Sequence, residues 1–335
     1  MRSVCVRIFV FLLAVVLVLS APAGSQKIAL AEGKFLPGSY TNEYGTRNYQ
    51  LYIPSGYRGQ AVPLLVMLHG CTQDPTIFAA GTKMNQLAEQ QTFLVLYPEQ
   101  PSSANASKCW NWFLPEHQER DKGELSLIAG MTKQVMNNYH IDKNRTYVAG
   151  MSAGGAMSAI MGSAYPDLFA AVGISAGLEY KAATDLISAL EAMKLGGPDP
   201  NRQGVLAYVA AGSNARAIPL IVFHGALDKT VFVVNGEQVI SQFAQTNDLF
   251  SDGLDNQNIT DQPSSVSNGQ VPDGHSYTVS VYKDPKGNPL MEKWIVEGMD
   301  HAWSGGTAGI PYNDPKGPDA SREMTRFFFE HPKNK

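Results

Sequence analysis

Residues 145–157 have the sequence RTYVAGMSAGGAM, and this stretch decides the fold class. The pattern predicts a strand over 145–149 and, from the run of small residues at 155–162, a tightly packed helix. Between them lies a Gly-x-Ser-x-Gly pentapeptide centred on Ser152. In a sharp strand-to-helix turn the serine is forced into a strained backbone so that its hydroxyl projects, and the glycines remove side chains that would collide. The stretch therefore predicts that Ser152 is a nucleophile at the end of a sheet strand.

The same pentapeptide pattern occurs a second time at residues 173–177, so the pattern alone is weak evidence. The residues that follow this second pentapeptide are Leu178, Glu179 and Tyr180, which are too large for a helix packed tightly beneath such a turn. We therefore expect Ser175 to end a strand, and Ser152 to be the nucleophile.

Outward from residue 152, short β-branched runs alternate with amphipathic stretches, as in a sheet with crossover helices. Strands are predicted at 47–53, 63–69, 93–97, 145–149, 168–175, 218–224, 276–282 and 292–296, and helices at 84–91, 124–139 and 321–331. The pattern predicts an α/β fold. Residues 251–274 are rich in Asp, Asn, Ser, Gln and Gly, so we expect a long surface excursion there.

The composition is that of a globular protein: of 335 residues, 44% are hydrophobic and 17% are charged. The formal net charge of −4 provides no basic field, which argues against nucleic acid or anionic lipid as a partner.

The N-terminal sequence is typical of a secretory signal peptide. Arg2 and Arg7 are followed by an apolar run at 8–19 and by small residues at 21–23. The alternative is a membrane anchor, but the run is shorter than the ~20 residues needed to cross a bilayer. We expect a signal peptide at 1–23 (alternative end 31), an N-terminal extension at 24–39, and a single catalytic domain at 40–335. The protein would then be secreted, extracellular or periplasmic, with no stable membrane anchor.

The cysteine count agrees with export. Cys5 lies inside the predicted signal, which leaves Cys71 and Cys109 as an even pair in an oxidising compartment. A disulfide between them is the favoured interpretation, and two buried thiols are the alternative. Two sulfurs without a clustered His pair make no tetrahedral zinc site. We expect no metal and no organic cofactor.

A serine is a poor nucleophile without a base, and the base must be held by a carboxylate that precedes it in the chain. His301 directly follows the predicted strand at 292–296, in a loop that can reach Ser152, and is the predicted base. The rivals are His224, at the end of a strand, and His275, in the polar excursion. The alternative is that His301 is an ordinary histidine in a surface loop and not the base.

The predicted acid is Asp228, in the loop after the strand at 218–224, where catalytic groups are commonly carried. Asp300 is adjacent to His301 in the chain and cannot readily reach its ring. A solvated turn aspartate is the alternative for Asp228. The oxyanion formed from an attacked carbonyl needs fixed donors, and the backbone N–H groups of Ala153 and Cys71 are the predicted pair.

Six segments carry a family resemblance: LHGCTQ (68–73), CWNW (109–112), GMSAGGAM (150–157), YPDLF (165–169), Asp228 through 235–236, and HAWSGG (301–306). From about residue 40 to 331 the chain resembles secreted esterases of the polyhydroxybutyrate (PHB) depolymerase family, which are α/β-hydrolases related to feruloyl and acetylxylan esterases. The resemblance implies an α/β-hydrolase fold, a mostly parallel central sheet with helices on both faces. It also implies a Ser152–His301–Asp228 triad, a Cys71–Cys109 disulfide, and hydrolysis of short-chain 3-hydroxyalkanoate esters.

Two other functions are compatible with these residues. One is the same hydrolysis of feruloyl or acetyl groups on plant polysaccharide, and the other is that of a non-catalytic binding protein on the same scaffold. Polymer-degrading relatives often carry a linker and a separate binding domain, and this sequence ends at its last predicted helix. Soluble oligomers or small esters are therefore easier to accommodate as substrates than solid polymer. Trp110, Trp112 and Trp303 are predicted to form an apolar wall for the substrate, with core packing as the alternative.

Overall fold

The computed structural model describes residues 33–333. The predicted signal peptide, with either end, lies outside the described residues. Within 33–333, no helix is both long and apolar enough to cross a bilayer. The sheet begins at Lys34, so residues 34–39 of the predicted N-terminal extension belong to its first strand.

Ten strands form one sheet in the order β1-β2-β4-β3-β5-β6-β7-β10-β9-β8. The strands are β1 (Lys34–Asn42), β2 (Gly45–Ile53), β3 (Val62–Leu68), β4 (Leu94–Pro98), β5 (Ile141–Met151), β6 (Val172–Ser175), β7 (Leu220–Gly225), β8 (Ser265–Gln270), β9 (Ser276–Lys283) and β10 (Pro289–Val296). All pairings from β4 through β10 in this order are parallel, and the pairings at both edges are antiparallel. The predicted mostly parallel sheet is confirmed.

Helices cover both faces of the sheet. They are α1 (Pro75–Thr82), α2 (Met84–Gln91), α3 (Gly123–Asn138), α4 (Ala153–Ala164), α5 (Leu186–Leu195), α6 (Pro200–Ala211), α7 (Val234–Asp252) and α8 (Ala320–Glu330). Strand β3 is buried throughout, and its residues alternate between two cores. Leu64 and Val66 pack in the core that contains α3, α4 and α7, whereas Leu65 and Met67 pack with α1, α2 and α8.

Two segments differ from the predictions. Only the last four residues of the predicted strand 168–175 form a strand, because Phe169 N donates to Tyr165 O in a turn that closes α4. The excursion at 251–274 is largely exposed, as predicted, but it also contains β8. The β8 sequence is SVSNGQ, and its strand form comes from backbone pairing with β9, which side-chain hydrophobicity does not reveal.

Candidate active site

Ser152 lies at the turn between β5 and α4, with φ 58° and ψ −123°. This backbone conformation is one that residues with a Cβ rarely adopt, and it costs roughly 1–3 kcal/mol, which the surrounding contacts must offset. The backbone N–H of Ser152 donates to Ser175 O at 2.9 Å, which ties the turn to the end of β6. Ser175 itself is fully buried at the end of that strand and presents no hydroxyl to the surface.

The two glycines of the pentapeptide let the chain make this turn. A Cβ at Gly154 would lie 2.0 Å from Leu68 O, and a Cβ at Gly150 would lie 2.3 Å from Gly154 O. Both contacts are with backbone, which cannot rotate away as a side chain can. Only glycine therefore allows α4 to start so close to β3 and β5.

Asp228 and His301 meet across two neighbouring loops. His301 Nδ1 donates to Asp228 Oδ2 at 2.7 Å, while Asp228 Oδ1 accepts the N–H groups of Thr230 and Val231, each at 2.8 Å. The Asp228 side chain is fully buried, and that of His301 is 7% exposed. The hydrogen bond fixes the ring so that Nδ1 carries the proton and Nε2 is available to act as a base.

Hydrogen bonds also join the two loops that carry this pair. Leu227 N donates to Met299 O at 3.0 Å, and Asp300 Oδ1 accepts from Lys229 N at 3.0 Å and from His301 N at 2.8 Å. These N–H donors, Lys229 first, lower the pKa of Asp300 below its ordinary value. Asp300 therefore joins the two loops, and it is Asp228 that contacts the imidazole.

A second histidine, His224, lies beneath Asp228. His224, at 0% exposure, donates from Nε2 to Val231 O at 2.8 Å, and the same nitrogen is 3.5 Å from Asp228 Oδ2. Burial lowers the pKa of His224, so the ring is neutral. Its burial excludes it as the base that contacts substrate, but it holds the loop that carries Asp228. From the sequence, His224 is only a rival base, and the His-Gly-x-x-Asp spacing at 224–228 is the signal that indicates this positioning role.

Ser152 and His301 line the same pocket of about 290 Å³. Cys71, Met193 and Tyr312 also line it, and the Tyr312 and His301 rings meet edge to face at 6.2 Å. No hydrogen bond within the described residues joins the Ser152 hydroxyl to the His301 ring. Such contacts commonly tighten when substrate binds. Met193 and Tyr312 were not singled out from the sequence, because only the packing of segments far apart in the chain brings them to the pocket.

The loop 69–73 is held by a compact set of hydrogen bonds. Gly70 N donates to Gln73 Oε1 at 2.9 Å, and His69 Nδ1 donates to Gly70 O at 2.8 Å. His69 Nε2 accepts from Gln100 N at 3.1 Å, and burial lowers the His69 pKa to about 4, so the ring is neutral and can do both. The loop is thus rigid where it borders the pocket.

Cys71 lies in the middle of this loop, and its backbone N–H has no hydrogen-bond partner among residues 33–333. Ala153 is the first residue of α4, where N–H groups lack a partner within the helix. The predicted Cys71–Cys109 disulfide is present, and both cysteines line the pocket. Next to the disulfide, Thr72 N donates to Ser107 O at 2.7 Å, so two links attach this loop to the 107–109 segment.

The tryptophan wall predicted from the sequence is wrong. Trp110, Trp112 and Trp303 are 0%, 4% and 1% exposed, and none of them lines the pocket. Trp303 packs its ring edge to face against Phe78 and donates from Nε1 to Ser321 Oγ at 3.0 Å. These side chains are core residues, because their large apolar surfaces are covered from both sides by neighbouring elements.

Residues 47–260 match the family model described as esterase PHB depolymerase. Poly(3-hydroxyalkanoate) depolymerase C of Paucimonas lemoignei is 34% identical over 280 residues, which cover 82% of this chain and 64% of that protein. Acetylxylan esterase A of Emericella nidulans is 29% identical over 204 residues, 58% of this chain and 66% of that protein. The chain thus spans slightly less than two thirds of the length of these relatives.

Among solved structures, acetyl xylan esterase from Aspergillus awamori superposes with a TM-score of 0.68 at 19% identity. The superposition covers 88% of this chain and 99% of that one. At this level of identity the superposition shows a shared fold alone, the α/β-hydrolase fold.

Proposed function

Because the chain belongs to the PHB depolymerase family of esterases, we propose that it is a secreted serine esterase acting on short-chain hydroxyalkanoate esters. The observation that carries the proposal is the 2.7 Å hydrogen bond from His301 to Asp228, with His301 and Ser152 lining one pocket. The disulfide at the pocket supports export, since such bonds persist in oxidising compartments.

The proposed cycle has two halves. Ser152 Oγ attacks the ester carbonyl carbon while His301 Nε2 takes the hydroxyl proton. The imidazolium is stabilised by Asp228, and it then gives that proton to the departing alkoxide, which leaves as an alcohol. The acyl group stays on Ser152. Water attacks the acyl-enzyme with His301 again as base, releasing the carboxylic acid and restoring the serine hydroxyl.

Two backbone N–H groups are proposed to stabilise the oxyanion, those of Ala153 and Cys71. Each such donor contributes about 3–4 kcal/mol to the transition state when it is fixed before reaction. The hydrogen bonds around Gly70 and the Cys71–Cys109 disulfide support this role, because they remove the freedom of the loop to turn its N–H away.

The hydroxyalkanoate substrate is favoured by the depolymerase relative, which has the higher identity and matches more of this chain than the acetylxylan esterase does. A second candidate, deacetylation of xylan, is supported by the acetylxylan esterase relative and the superposed solved structure. A non-catalytic binding role is opposed by the strained serine, the buried acid and the oriented histidine, which binding alone does not require.

Labelling with a fluorophosphonate probe tests the nucleophile. We expect an adduct on Ser152, and loss of both the adduct and p-nitrophenyl butyrate hydrolysis in Ser152→Ala. Ser175→Ala is the matched control, because it alters the other pentapeptide and its buried hydroxyl has no hydrogen-bond partner among the described residues. Labelling of Ser175, or full activity in Ser152→Ala, would refute the assignment. Rates on hydroxybutyrate oligomers, acetylated xylan and methyl ferulate then separate the substrate classes.

A further inference from the structure

Helix α5 has an unusual distribution of side chains. It buries its alanines, with Ala189 and Ala192 at 2% and 3% exposure, and exposes Leu186, Ile187 and Leu190 at 59%, 72% and 56%. Helices of globular proteins ordinarily do the reverse, because burying the larger apolar side chain removes more apolar area from water. Exposed apolar patches on soluble proteins commonly mark interaction sites.

This exposed face leads directly to the pocket. Leu186, Leu190 and Met193 are spaced i, i+4 and i+7, so they form one stripe along the helix, and Met193 lines the pocket beside Ser152. At 1.5 Å per residue, the stripe extends about 10 Å away from the pocket. Its far end is the N-terminus of α5, which is fixed by a capping box between Asp185 and Ser188.

The loop that carries the acid continues the patch. Phe232 N donates to Met193 O at 2.7 Å, and the Phe232 ring is 41% exposed. We call Leu186, Ile187, Leu190 and Phe232 the apolar rim.

We propose that the apolar rim is a docking surface for an uncharged aliphatic polyester, placing an ester of the adsorbed chain at the mouth of the pocket. This inference rests on the proposed function, and it extends the expected substrates from soluble esters to the solid polymer. A polyester of hydroxyalkanoates offers methyl and methylene groups to the rim and carries no charge to be desolvated.

The charges around the rim favour a polyester over a membrane. Helices that lie on membranes have polar faces rich in Lys and Arg. On α5 the charged residues are Glu191 and Lys194, with Asp185 at its N-cap. Lys194 Nζ lies over the Phe232 ring at 4.8 Å from its centroid and donates to Lys229 O. The helix and its cap thus carry two acidic residues and one lysine, unlike the Lys- and Arg-rich polar face of a membrane-surface helix.

The size of the rim argues against a second copy of the chain as the occupant. A stable dimer buries about 800 Å² on each partner. Three aliphatic side chains and one half-exposed ring offer a few hundred Å² at most. Adsorption to a solid needs no such area from a single patch, because the polymer surface is continuous around the pocket mouth.

The test uses the double variant Leu186→Ser/Leu190→Ser of the full chain. Its matched control is Leu254→Ser, since Leu254 is 61% exposed and is not part of the apolar rim. Adsorption to amorphous polyhydroxybutyrate granules is measured by depletion on a Ser152→Ala background, so that hydrolysis does not interfere. Active forms are assayed on polymer film and on soluble p-nitrophenyl butyrate, and thermal unfolding verifies folding.

We expect adsorption and the rate of film hydrolysis to fall by about tenfold or more in the double variant, because two serines bury less apolar area against the polymer than two leucines. Its kcat/KM on the soluble ester should stay within about twofold of the parent, with the control unchanged throughout. Parent-like adsorption by the double variant overturns the inference. The inference is also overturned if the double variant adsorbs to the polymer like the parent but loses a dimer that the parent forms. Loss of binding to phosphatidylcholine or phosphatidylserine vesicles, with adsorption to the polymer intact, overturns it as well.

Two outcomes separate this inference from the proposed function. If the parent adsorbs through the rim but hydrolyses neither soluble ester nor film, the esterase proposal fails and the docking surface stands. If the double variant unfolds, or also loses activity on the soluble ester, the single variant Ile187→Ser is tested in its place. Parent-like adsorption by that variant then rejects the inference.

Discussion

The Nδ1 atom of His301 lies 2.7 Å from Oδ2 of Asp228, although 73 positions separate the two residues in the chain. Their loops follow β10 and β7, which are neighbouring parallel strands. The carboxyl ends of parallel strands lie at one edge of a sheet, so two distant segments bring a carboxylate and an imidazole to the same place. Because β5 also runs parallel in this sheet, Ser152 emerges at that edge too.

Replacing Asp228 by Asn should lower kcat on p-nitrophenyl butyrate by about 10⁴-fold with little change in KM. The amide side chain no longer holds the proton on His301 Nδ1 or stabilises the imidazolium. Asp300→Asn is the control, because an amide oxygen can still accept from Lys229 N and His301 N. An equal loss in both variants would contradict the assignment of Asp228.

His224→Leu should lower kcat more than it changes KM, and should cost about 1–3 kcal/mol of unfolding free energy. It leaves the Val231 carbonyl without its buried donor, so the loop holding Asp228 loosens. His224→Gln retains an N–H donor and should recover part of both losses. Steady-state kinetics and urea unfolding provide the measurements. A glutamine variant no better than leucine would mean that the hydrogen bond is unimportant.

Gly154→Ala should destabilise the fold and abolish activity together, because its Cβ would lie 2.0 Å from Leu68 O. Overpacking of this kind costs about 1–3 kcal/mol or more. Gly45→Ala is the comparison, since its φ is +116° and the nearest atom to an added Cβ is 3.8 Å away. It carries backbone strain without collision, so activity should survive. Thermal unfolding and esterase assays distinguish the two variants.

Removing the disulfide by Cys71→Ser/Cys109→Ser should lower stability by about 3–4 kcal/mol in the loop-entropy model, for a sequence separation of 38. Activity should fall in conditions where the variant is still folded, because the Cys71 N–H is less firmly held. Urea unfolding and kcat at low temperature are the measurements. A stable variant with unchanged kcat would show that the bond serves neither purpose.

Stability should fall as pH rises from about 4.5 towards 9 because of Glu179. This side chain is 1% exposed, neither carboxyl oxygen has a hydrogen-bond partner within residues 33–333, and burial raises its pKa from 4.5 to about 9. Between these pH values the folded state holds a proton that the unfolded state has lost, so unfolding becomes easier with rising pH. Glu179→Gln should flatten the melting-temperature profile between pH 6 and 9. An unchanged slope would assign the pH dependence to other groups.

The sequence by itself determined the parallel sheet and the disulfide, and it predicted the residues of the candidate triad. Each of these depends on short-range information. A short run of apolar residues such as 63–69 favours a strand covered on both faces, and Gly150 and Gly154 permit a turn that other residues forbid. Where the constraint is local backbone geometry or an even number of cysteines, the chemistry of a few neighbouring residues is enough.

Only the tertiary structure decided which large apolar side chains are covered. Trp110 and Trp303 are core residues, whereas Leu186 and Leu190 face solvent beside the pocket, and nothing in the residue types predicts this exchange. The structure also placed His224 beneath Asp228 and brought Met193 to Ser152. Burial is set by which elements pack against each other, and in this chain those contacts join segments far apart in sequence.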